Sequence, residues 1–334
     1  MPAPAISREP IRSPARRWIL LTGQTLAWVL AVLGLAVTAV RWVDLAWTPV
    51  VLIQSLSPLA APVCLVSLAG VLLRGRPTTR ISLGGVCVLV LVVHAAIWAP
   101  WLSDEPPAAG RRLRVMTVNL FHGHADTQAI SRHVRAHGVD VLVLTEVQGP
   151  APSKLRADGV YGQLPYVFPD GPAAGTTVIR SRHRLAPAPG PPGVDTMNSR
   201  NPAATLRLGR PLTLRAVHPP PPTPRRVRKW RSTLANLIHW AQRTGGPLVM
   251  AGDFNASVDH PAMRHLLASG LRDAHEVAGE GRPATWPNHR SMPAFVHLDH
   301  VLVRSLDVAS AQEMRLTGTD HDAILVELIV PTQR

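Results

Sequence analysis

Two hydrophobic patterns divide the chain near residue 103. In the first part, apolar runs cover residues 19–40, 46–73 and 81–102, and none of them contains a Lys, Arg, Asp or Glu. Each run is long enough, at about 1.5 Å per residue in a helix, to cross about 30 Å of hydrocarbon. The runs lack the polar stripe of a helix on a globular surface, and Trp residues stand near several of their ends. The pattern therefore predicts three membrane spans.

From about residue 113, the apolar positions fall into short runs that are typical of strands, and these runs stop at polar residues. Residues 114–118, 139–145 and 212–217 are runs of this kind, and the third is followed by four prolines. A further buried strand, 247–251, leads through Gly252 into a polar stretch. The polar residues that follow these runs are Asn119, Glu146, His218, Asp253 and Asn255. Two later segments add Asp299, Asp320 and His321.

The spacing of Asp253 and Asn255 allows two interpretations. On an extended backbone, side chains two residues apart point the same way, so one carboxylate and one carboxamide would emerge together. Such an oxygen-rich pair suits a divalent cation or a phosphate. Gly, Asp and Asn are also common turn residues, so a polar turn after a strand fits the same letters.

The polar residues gain meaning as a set. Carboxylates, amides and imidazoles at strand ends can hold a metal ion, orient a water molecule and protonate a leaving oxygen. These are the parts that metal-assisted hydrolysis needs.

The order of these motifs resembles the endonuclease/exonuclease/phosphatase superfamily, whose fold is also called DNase I-like. The resemblance covers about residues 111–331 and rests on Asn119, Glu146, His218, GDFN at 252–255, LDH at 298–300 and TDH at 319–321. The Ser-Arg at 181–182 and the Thr-Trp-Pro at 285–287 agree with it. It implies an α/β fold, a two-sheet DNase I-like sandwich with the site in the cleft where strand ends meet, and hydrolysis of phosphoester bonds.

The resemblance also implies a role for each matching residue. Glu146 would be the main ligand of Mg²⁺ or Mn²⁺, with Asn119 and Asp320 completing or supporting its shell. Asp253 would orient or deprotonate the attacking water, and Asn255 would hold that water or a phosphate oxygen.

Two imidazoles complete the implied machinery. His321 would donate to the phosphate, with Asp299 holding its tautomer, and His218 would lie near the leaving or the non-bridging oxygens. In such a site the metal ion and the two imidazoles would neutralise the negative charge that builds up around the phosphorus. Further candidates for phosphate contact are Arg182, Asn198 and Arg200.

Some residues depart from the family pattern or fall outside it. His218 is followed by proline rather than by a Tyr-containing stretch, which favours the DNase-like, sphingomyelinase-like and phosphatase-like branches, and the sequence shows no carboxylate partner for it. His122 and His124 are interpreted as solvated loop residues, and His300, which would point to the opposite face of its strand, as structural.

The domain organisation follows from these patterns. We expect a membrane region over 1–103, a linker over 104–112 and a catalytic domain over 113–331. Arginines 8, 12, 16 and 17 precede the first run, and arginines 74, 76 and 80 lie between the second and third runs. The positive-inside rule places both segments in the cytoplasm, so an odd number of spans puts the catalytic domain outside a cell membrane that the chain crosses several times.

The charge balance narrows the partners. The chain has 35 Lys and Arg against 21 Asp and Glu, a net charge of +14. A basic cluster at 225–231 suits an anionic partner such as nucleic acid or anionic lipid, although a solvated helix end fits equally. The expected partners are a phosphoester substrate (nucleic acid, lipid or small molecule) and the lipid bilayer; no protein partner is predicted.

Two other classes of function compete with the hydrolase. A catalytically silent binding module on a membrane stem would lack a core residue of the motif, and none is missing. A transporter would keep several ionisable groups in its spans, whereas these runs contain only His94.

Overall fold

Long apolar helices form the first part of the structure, and two β-sheets form most of the rest. The computed structural model describes residues 14–74, 77–103, 109–171, 175–188, 201–288 and 291–331. It divides into two compact units, each described separately below. The helical unit runs up to Ala39 and includes Leu59–Ala95, and the C-terminal unit combines Val40–Pro58 with the chain from Ala96 onward.

The helical unit packs through small residues. Its helices are α1 (Pro14–Val40), α3 (Ser57–Arg74) and α4 (Pro77–Trp98); α2 (Thr48–Ser55) lies between α1 and α3 and belongs to the C-terminal unit. A Cβ added at Gly34 would lie 2.5 Å from the sulfur of Cys64, so α1 and α3 approach closely there. The Ser67 hydroxyl donates to the carbonyl of Ala27 at 2.7 Å. Close contact through small and hydroxyl residues is typical of helices packed in a membrane.

Two helical stretches, Thr22–Val40 and Pro77–Leu102, are long and apolar enough to cross a membrane. The predicted run 46–73 is not one helix: it is broken at Leu56 into α2 and α3, and it counts as a third span only if the broken pair is taken together. Pro58 explains the break, because it has no N–H to donate to the preceding turn and its ring crowds that turn. Three spans therefore remain a prediction.

The C-terminal unit contains two six-stranded sheets. The strands in chain order are β1 (Arg111–Asn119), β2 (Val141–Thr145), β3 (Tyr166–Phe168), β4 (Val178–Ser181), β5 (Leu185–Pro187), β6 (Ala203–Leu208), β7 (Arg210–Val217), β8 (Leu248–Asp253), β9 (Arg272–Asp273), β10 (Asp299–Arg304), β11 (Asp307–Met314) and β12 (Ala323–Val330). The first sheet has the order β11-β12-β1-β2-β4-β3, and the second has the order β5-β6-β7-β8-β10-β9.

Helices pack against both sheets. They are α5 (Thr127–Ala136), α6 (Ala151–Ala157), α7 (Val160–Gln163), α8 (Val227–Arg243), α9 (Pro261–Leu267) and α10 (Ala274–Ala278), and a short 3₁₀ turn, Ala99–Leu102, precedes β1. The first three pack on the first sheet, and α8 and α9 pack on the second. The two-sheet α/β sandwich predicted from the sequence is confirmed.

Strand alternation decides where the polar residues go. Along β1, Leu113 and Val115 face the core between the sheets, whereas Met116 and Val118 face the helices outside. The other central strands alternate in the same way, as the two-residue period of a strand requires. The inward rows of β1, β7, β8 and β10 continue at one end into Asn119, His218, Asp253 and Asp299.

Strand direction brings these row ends together. β1 runs parallel to β2, and β7 runs parallel to β8, so within each pair the carboxyl ends share one edge. β10 is antiparallel to β8, and its first residue, Asp299, pairs with Asp253 at the end of β8. The register thus places carboxylates from two adjacent strands side by side.

The segment Val40–Pro58, called the inter-helix segment below, is joined to the C-terminal unit by buried polar contacts. Arg41 Nε donates to Asp259 Oδ1 at 2.9 Å, and Arg282 donates to the other oxygen of Asp259 at 2.6 Å. The ring of His260 bonds the carbonyl of Val51 at 3.0 Å. Hydropathy assigns residues 46–58 of this segment to a predicted span, whereas in the structure the segment packs within the C-terminal unit.

Candidate active site

Gly252 allows the two strands at the centre of the site to approach each other. Its φ is 144°, and a Cβ on it would lie 2.1 Å from the carbonyl oxygen of Val217. No other residue type fits that contact without moving the backbone. The close approach sets Asp253 Oδ2 3.8 Å from His218 Nε2.

Asn119 links two carboxylates: Asp253, the last residue of β8, and Glu146, the residue after β2. Its amide nitrogen donates to Asp253 Oδ2 at 3.0 Å and to Glu146 Oε1 at 3.4 Å. Its amide oxygen accepts the backbone N–H of Phe121 at 2.9 Å. In this orientation Asn119 serves the carboxylates as a donor, and coordination through its oxygen would require the amide to turn over.

The sequence left two interpretations of residues 253–255 open, a ligand pair and a polar turn. In the structure these residues form a turn, and the turn is part of the site. Asn255 has a φ of 48° and is not in a strand, so the two side chains do not align by strand alternation. Instead, Asp253 Oδ1 accepts the backbone N–H of Asn255 at 2.7 Å, and Asn255 Nδ2 lies 3.3 Å from Asp253 Oδ2. The same side chain donates to the carbonyl of Pro219 at 3.1 Å, which ties the turn to the segment after His218.

His321 forms a buried pair with Asp299. Its Nδ1 lies 2.7 Å from Asp299 Oδ2, and its Nε2 lies 4.0 Å from Asp253 Oδ2 and 3.9 Å from Asp320 Oδ1. Burial opposes the charged form of His321, but the negative charges of Asp299 and Asp253 outweigh burial and raise the pKa to about 10. At neutral pH the ring is an imidazolium whose Nε2–H points into the site.

Burial raises the pKa of the Asp253 carboxyl, and the neighbouring charge of His321 opposes that rise. The side chain is only 2% exposed. A buried carboxylate with a raised pKa is a stronger base than a free one, as a group that removes a proton from water should be.

Glu146 stands just after β2 with a φ of 55°. Its Oε2 accepts the backbone N–H of His122 at 2.8 Å and lies 3.1 Å from the Nδ1 of the same residue. His218 Nε2 lies 3.7 Å from Glu146 Oε1. The two carboxylates near His218 are therefore Glu146, just after β2, and Asp253, at the end of β8. Both are distant from His218 in the chain, which is why the sequence showed no carboxylate partner for it.

His122 is a site residue that sequence reasoning placed in solvent. It is exposed on its outer side, yet its ring and backbone both contact Glu146. A turn directly after β1 brings it there: Phe121 and His122 have positive φ, and Gly123 packs against the carbonyl of Gln148 just beyond Glu146.

The donor set fits a hard divalent cation. Atoms of Asp253, Asp299 and His321 lie within 4.8 Å of one another. A protonated His321 has no lone pair to offer a metal, so the candidate ligands are the carboxylate oxygens. Among the described residues, Asp299 Oδ1 and Asp320 Oδ1 are buried with no hydrogen-bond partner. Carboxylate oxygens left unpaired at a buried site are the ligands that Mg²⁺ and Mn²⁺ prefer.

A second buried group of Asp273, His297 and His300 has similar spacing. His300 lies 2.7 Å from Asp273 Oδ2 through one ring nitrogen and 2.8 Å from the carbonyl of Ala256 through the other. With both nitrogens engaged, His300 acts as a structural link between β10, β9 and the turn after β8.

Of the three candidate phosphate contacts, the structure describes only Arg182, and Arg182 does not reach the site. Arg182 follows Ser181, which pairs with Val141 at the start of β2, whereas the site lies at the end of β2. It bonds the carbonyl of Val139 instead. The structure does not bring Arg182 to the strand-end residues, because β4 runs antiparallel to β2. Asn198 and Arg200 lie outside the described residues.

A cavity of about 570 Å³ opens beside these polar groups. Its polar lining includes Glu146, Asp253, Asp320 and His321. Its apolar lining, called the apolar wall below, includes Leu52, Ile53 and Leu56 from the inter-helix segment together with Phe121 and Phe295. Hydropathy alone does not indicate that α2 borders the site.

A two-sheet α/β sandwich with a buried carboxylate and imidazole site at its strand ends defines a hydrolase of the DNase I-like class. The family model described as the Endonuclease/Exonuclease/phosphatase family matches residues 116–321, more than half of the chain, and the chain belongs to this family. Its members are hydrolases that act on phosphoester bonds and generally depend on divalent metal ions. No curated protein sequence matches the chain.

Solved structures show the same fold. A crystal structure of D. rerio TDP2 complexed with a single-strand DNA product is 16% identical, covers 66% of this chain and 99% of that one, and gives a TM-score of 0.51. An endonuclease/exonuclease/phosphatase from Bacteroides vulgatus is 16% identical with the same coverage and a TM-score of 0.50.

Proposed function

We propose that this protein is a membrane-anchored, extracytoplasmic, divalent-metal-dependent phosphoesterase that hydrolyses phosphodiester or phosphomonoester bonds. The observation that carries the proposal is the meeting of Asp253, Asp299 and His321 in one buried cluster, with Glu146 and His218 beside it. A binding module has no need of a buried base next to a buried imidazolium.

Asp253 acts as the base in this proposal. It removes a proton from the attacking water, and its Oδ1, held by the backbone N–H of Asn255, fixes the direction of the carboxylate. Asn255 in turn is held by the carbonyl of Pro219, so base and turn stay in register with the segment that carries His218.

His321 stabilises the charge that develops on the phosphoryl oxygens. Its Nδ1 is committed to Asp299, which leaves the Nε2–H free to donate toward the cavity. His218, between Glu146 and Asp253, supplies the second imidazole near the non-bridging or leaving oxygen. Such preorganised donors are worth the most where water is excluded.

Glu146 is proposed as the main ligand of Mg²⁺ or Mn²⁺, with Asp320 and Asn119 in support. The unpaired Oδ1 of Asp320 supports its place in this assignment. Asn119 would contribute its oxygen only after its amide turns over. A bound divalent ion neutralises negative charge on the phosphoryl group.

Two features support the proposed membrane arrangement: the way the chain connects the two units, and the positions of the arginines between the apolar runs. Val40–Pro58 and the chain from Ala96 onward form one compact unit. If the intervening Leu59–Ala95 enters a membrane, as we propose, it therefore returns to the side that it left. The arginines between its two helices mark that turn as cytoplasmic by the positive-inside rule. This supports an extracytoplasmic catalytic unit, and protease accessibility in intact spheroplasts tests it: protection of the C-terminal unit would overturn the sidedness.

Hydrolysis of bis-p-nitrophenyl phosphate by the full-length protein in detergent tests the activity, with Mg²⁺, Mn²⁺ or EDTA. Glu146→Gln and His321→Ala should each abolish metal-dependent turnover, whereas the exposed controls Glu313→Gln and His239→Ala should keep it. The full chain is required, because a fragment that begins near residue 105 lacks the inter-helix segment. If the folded wild type shows no turnover with any metal, the function moves to a binding module.

A further inference from the structure

We infer that α2 and the aromatic residues facing it form a subsite for the apolar part of an amphiphilic phosphoester, so that the natural substrate is a phosphate ester carrying a long hydrocarbon chain. This inference rests on the proposed function and adds the substrate class to it. The feature that leads to it is a cavity whose lining combines the carboxylates and His321 with the apolar wall.

The apolar wall is exposed where a folded domain would ordinarily bury it. Leu52 is 55% exposed, Ile53 37%, Leu56 40% and Phe121 39%. They lie together in the cavity rather than scattered over the surface. A contiguous apolar surface of this kind beside convergent polar groups marks a ligand site.

The wall is held in place from behind. Val51, on the opposite face of α2, is 1% exposed and belongs to the core beneath the second sheet. Its carbonyl bonds the ring of His260, and Gln54 Nε2 donates to the carbonyls of Val40 and Val43 at 3.0 and 2.8 Å. Leu52 and Ile53 are therefore presented to the cavity by a fixed helix, which lowers the entropic cost of binding.

The polar and apolar residues of the lining would contact the same ligand, because they line one cavity. The phosphorus of any substrate must lie against Asp253 and His321, and both residues line the cavity together with Leu52 and Ile53. The group attached to the phosphate on that side therefore meets leucine, isoleucine and phenylalanine. A hydrocarbon chain gains free energy on leaving water for such a surface, whereas a sugar or a second phosphate loses hydration there.

The same wall disfavours a nucleic-acid substrate. Binding to a nucleic-acid backbone depends on Lys and Arg that follow its phosphates. Among the described residues that line the cavity there is no Lys or Arg. Phe121, Trp286 and Phe295 are able to stack on bases, but the aliphatic side chains of α2 are not, so a nucleic-acid substrate would leave the α2 wall uncovered.

A series of p-nitrophenyl alkyl phosphates tests the inference, with methyl, butyl and octyl esters and the full-length protein in one detergent. We expect kcat/KM to rise at least about tenfold from methyl to octyl, since each fully buried methylene contributes up to about fourfold. Leu52→Asn and Ile53→Asn should remove most of that rise. Leu45→Asn is the matched control, because Leu45 is 52% exposed in the same segment and does not line the cavity.

The outcomes separate the subsite from the proposed activity. Partition of the esters into detergent is the same for every variant, so the wild-type to variant ratio isolates the protein's contribution. Turnover of the methyl ester without a chain-length effect, or the same effect in Leu52→Asn as in wild type, overturns the subsite and leaves the phosphoesterase intact. Preferred cleavage of a single-stranded DNA oligonucleotide over the octyl ester also overturns it. Failure to cleave any ester overturns the proposed function itself.

Discussion

Asp253 and Asp259 lie a few residues apart, and both are buried, yet the protein treats them in opposite ways. Burial raises the pKa of Asp253, and the nearby imidazolium of His321 only opposes that rise. Burial acts on Asp259 too, but the guanidinium groups of Arg282 and Arg41 outweigh it and lower the pKa. The difference lies in the partners: Asp259 is held by two hydrogen-bonded guanidinium groups, whereas Asp253 faces an imidazolium 4.0 Å away and a second carboxylate nearby.

The comparison assigns a different task to each carboxylate. Asp253 keeps proton affinity and faces a cavity, so it is suited to chemistry. Asp259 has both oxygens paired and holds the inter-helix segment through Arg41, so it is suited to structure. Activity should therefore depend on the first and folding on the second.

The largest expected effect breaks the chemical half of the comparison. Asp253→Asn should lower kcat by roughly three to four orders of magnitude, in the range seen when a catalytic group is removed, because the amide cannot accept a proton. The midpoint of thermal unfolding should not fall, since a buried charge has been removed. The exposed control Asp170→Asn should leave kcat unchanged; a loss below tenfold in Asp253→Asn would show that another group is the base.

The next effect breaks the structural half. Arg41→Ala should lower the free energy of unfolding by about 3 kcal/mol, the cost of removing one partner of a buried ion pair. Activity per folded molecule should change less than about threefold. Denaturant unfolding followed by tryptophan fluorescence measures the loss.

Arg231→Ala is the matched control for that variant. Arg231 pairs with Asp44 at 2.9 Å, but the two side chains are 38% and 39% exposed. Exposed pairs contribute about 0–1 kcal/mol. Equal losses in the two arginine variants would contradict the structural role of Asp259.

Acid sharpens the comparison on the Asp259 side. Its folded pKa is lowered, so its stabilisation is fully present above the unfolded value of about 3.9 and is lost as pH falls through the folded pKa. Without Arg41 the folded pKa rises, and the acid-induced drop in the unfolding midpoint should begin at higher pH in Arg41→Ala than in wild type. Identical acid profiles would refute the coupling.

Alkali sharpens it on the Asp253 side. His321 in the metal-free protein has its pKa raised to about 10 against about 6.5 when unfolded. Its stabilisation is fully present below about 6.5 and is lost as pH rises through about 10. With EDTA, His321→Ala should show a smaller drop in unfolding midpoint between pH 7 and 10 than wild type, and His239→Ala should match wild type.

The smallest expected effect concerns a residue at the far end of β2. Arg182→Ala should change kcat/KM for bis-p-nitrophenyl phosphate by less than about twofold, because its contacts are with Val139 and Asp140, at the start of that strand. A tenfold loss would mean that the site extends to this end of the sheet.

Sequence reasoning reached the strand-end residues because side-chain alternation is a local rule and because the order of the motifs resembles the family's. A residue that ends an inward row, such as Asn119, Asp253 or Asp299, can be assigned to a face of its strand from its parity. The same rules fail for Arg182, whose strand direction depends on pairing that the sequence does not display.

Other parts of the site were not predictable for a different reason. The hydropathy of α2 shows that its side chains are apolar, but it does not show which surface they pack against. A segment that packs on the C-terminal unit therefore has the same hydrophobic pattern as a membrane span. The contact of His122 with Glu146 depends on a left-handed turn at 121–123, which the isolated letters do not reveal. The positions of Leu52 and Ile53 beside the catalytic carboxylates depend on contacts that join residues far apart in the chain.

The ion pair of Arg41 with Asp259 has a consequence for how the protein is made. The two partners are separated by 218 positions in the chain. Synthesis proceeds from the N-terminus, so the inter-helix segment leaves the ribosome long before the strands on which it packs. It must wait, unpartnered, while both later helices and most of the sandwich are translated. The inter-helix segment, which supplies the α2 part of the cavity lining, is thus synthesised first within the C-terminal unit, but it acquires its buried ion pair only after Asp259 has been translated.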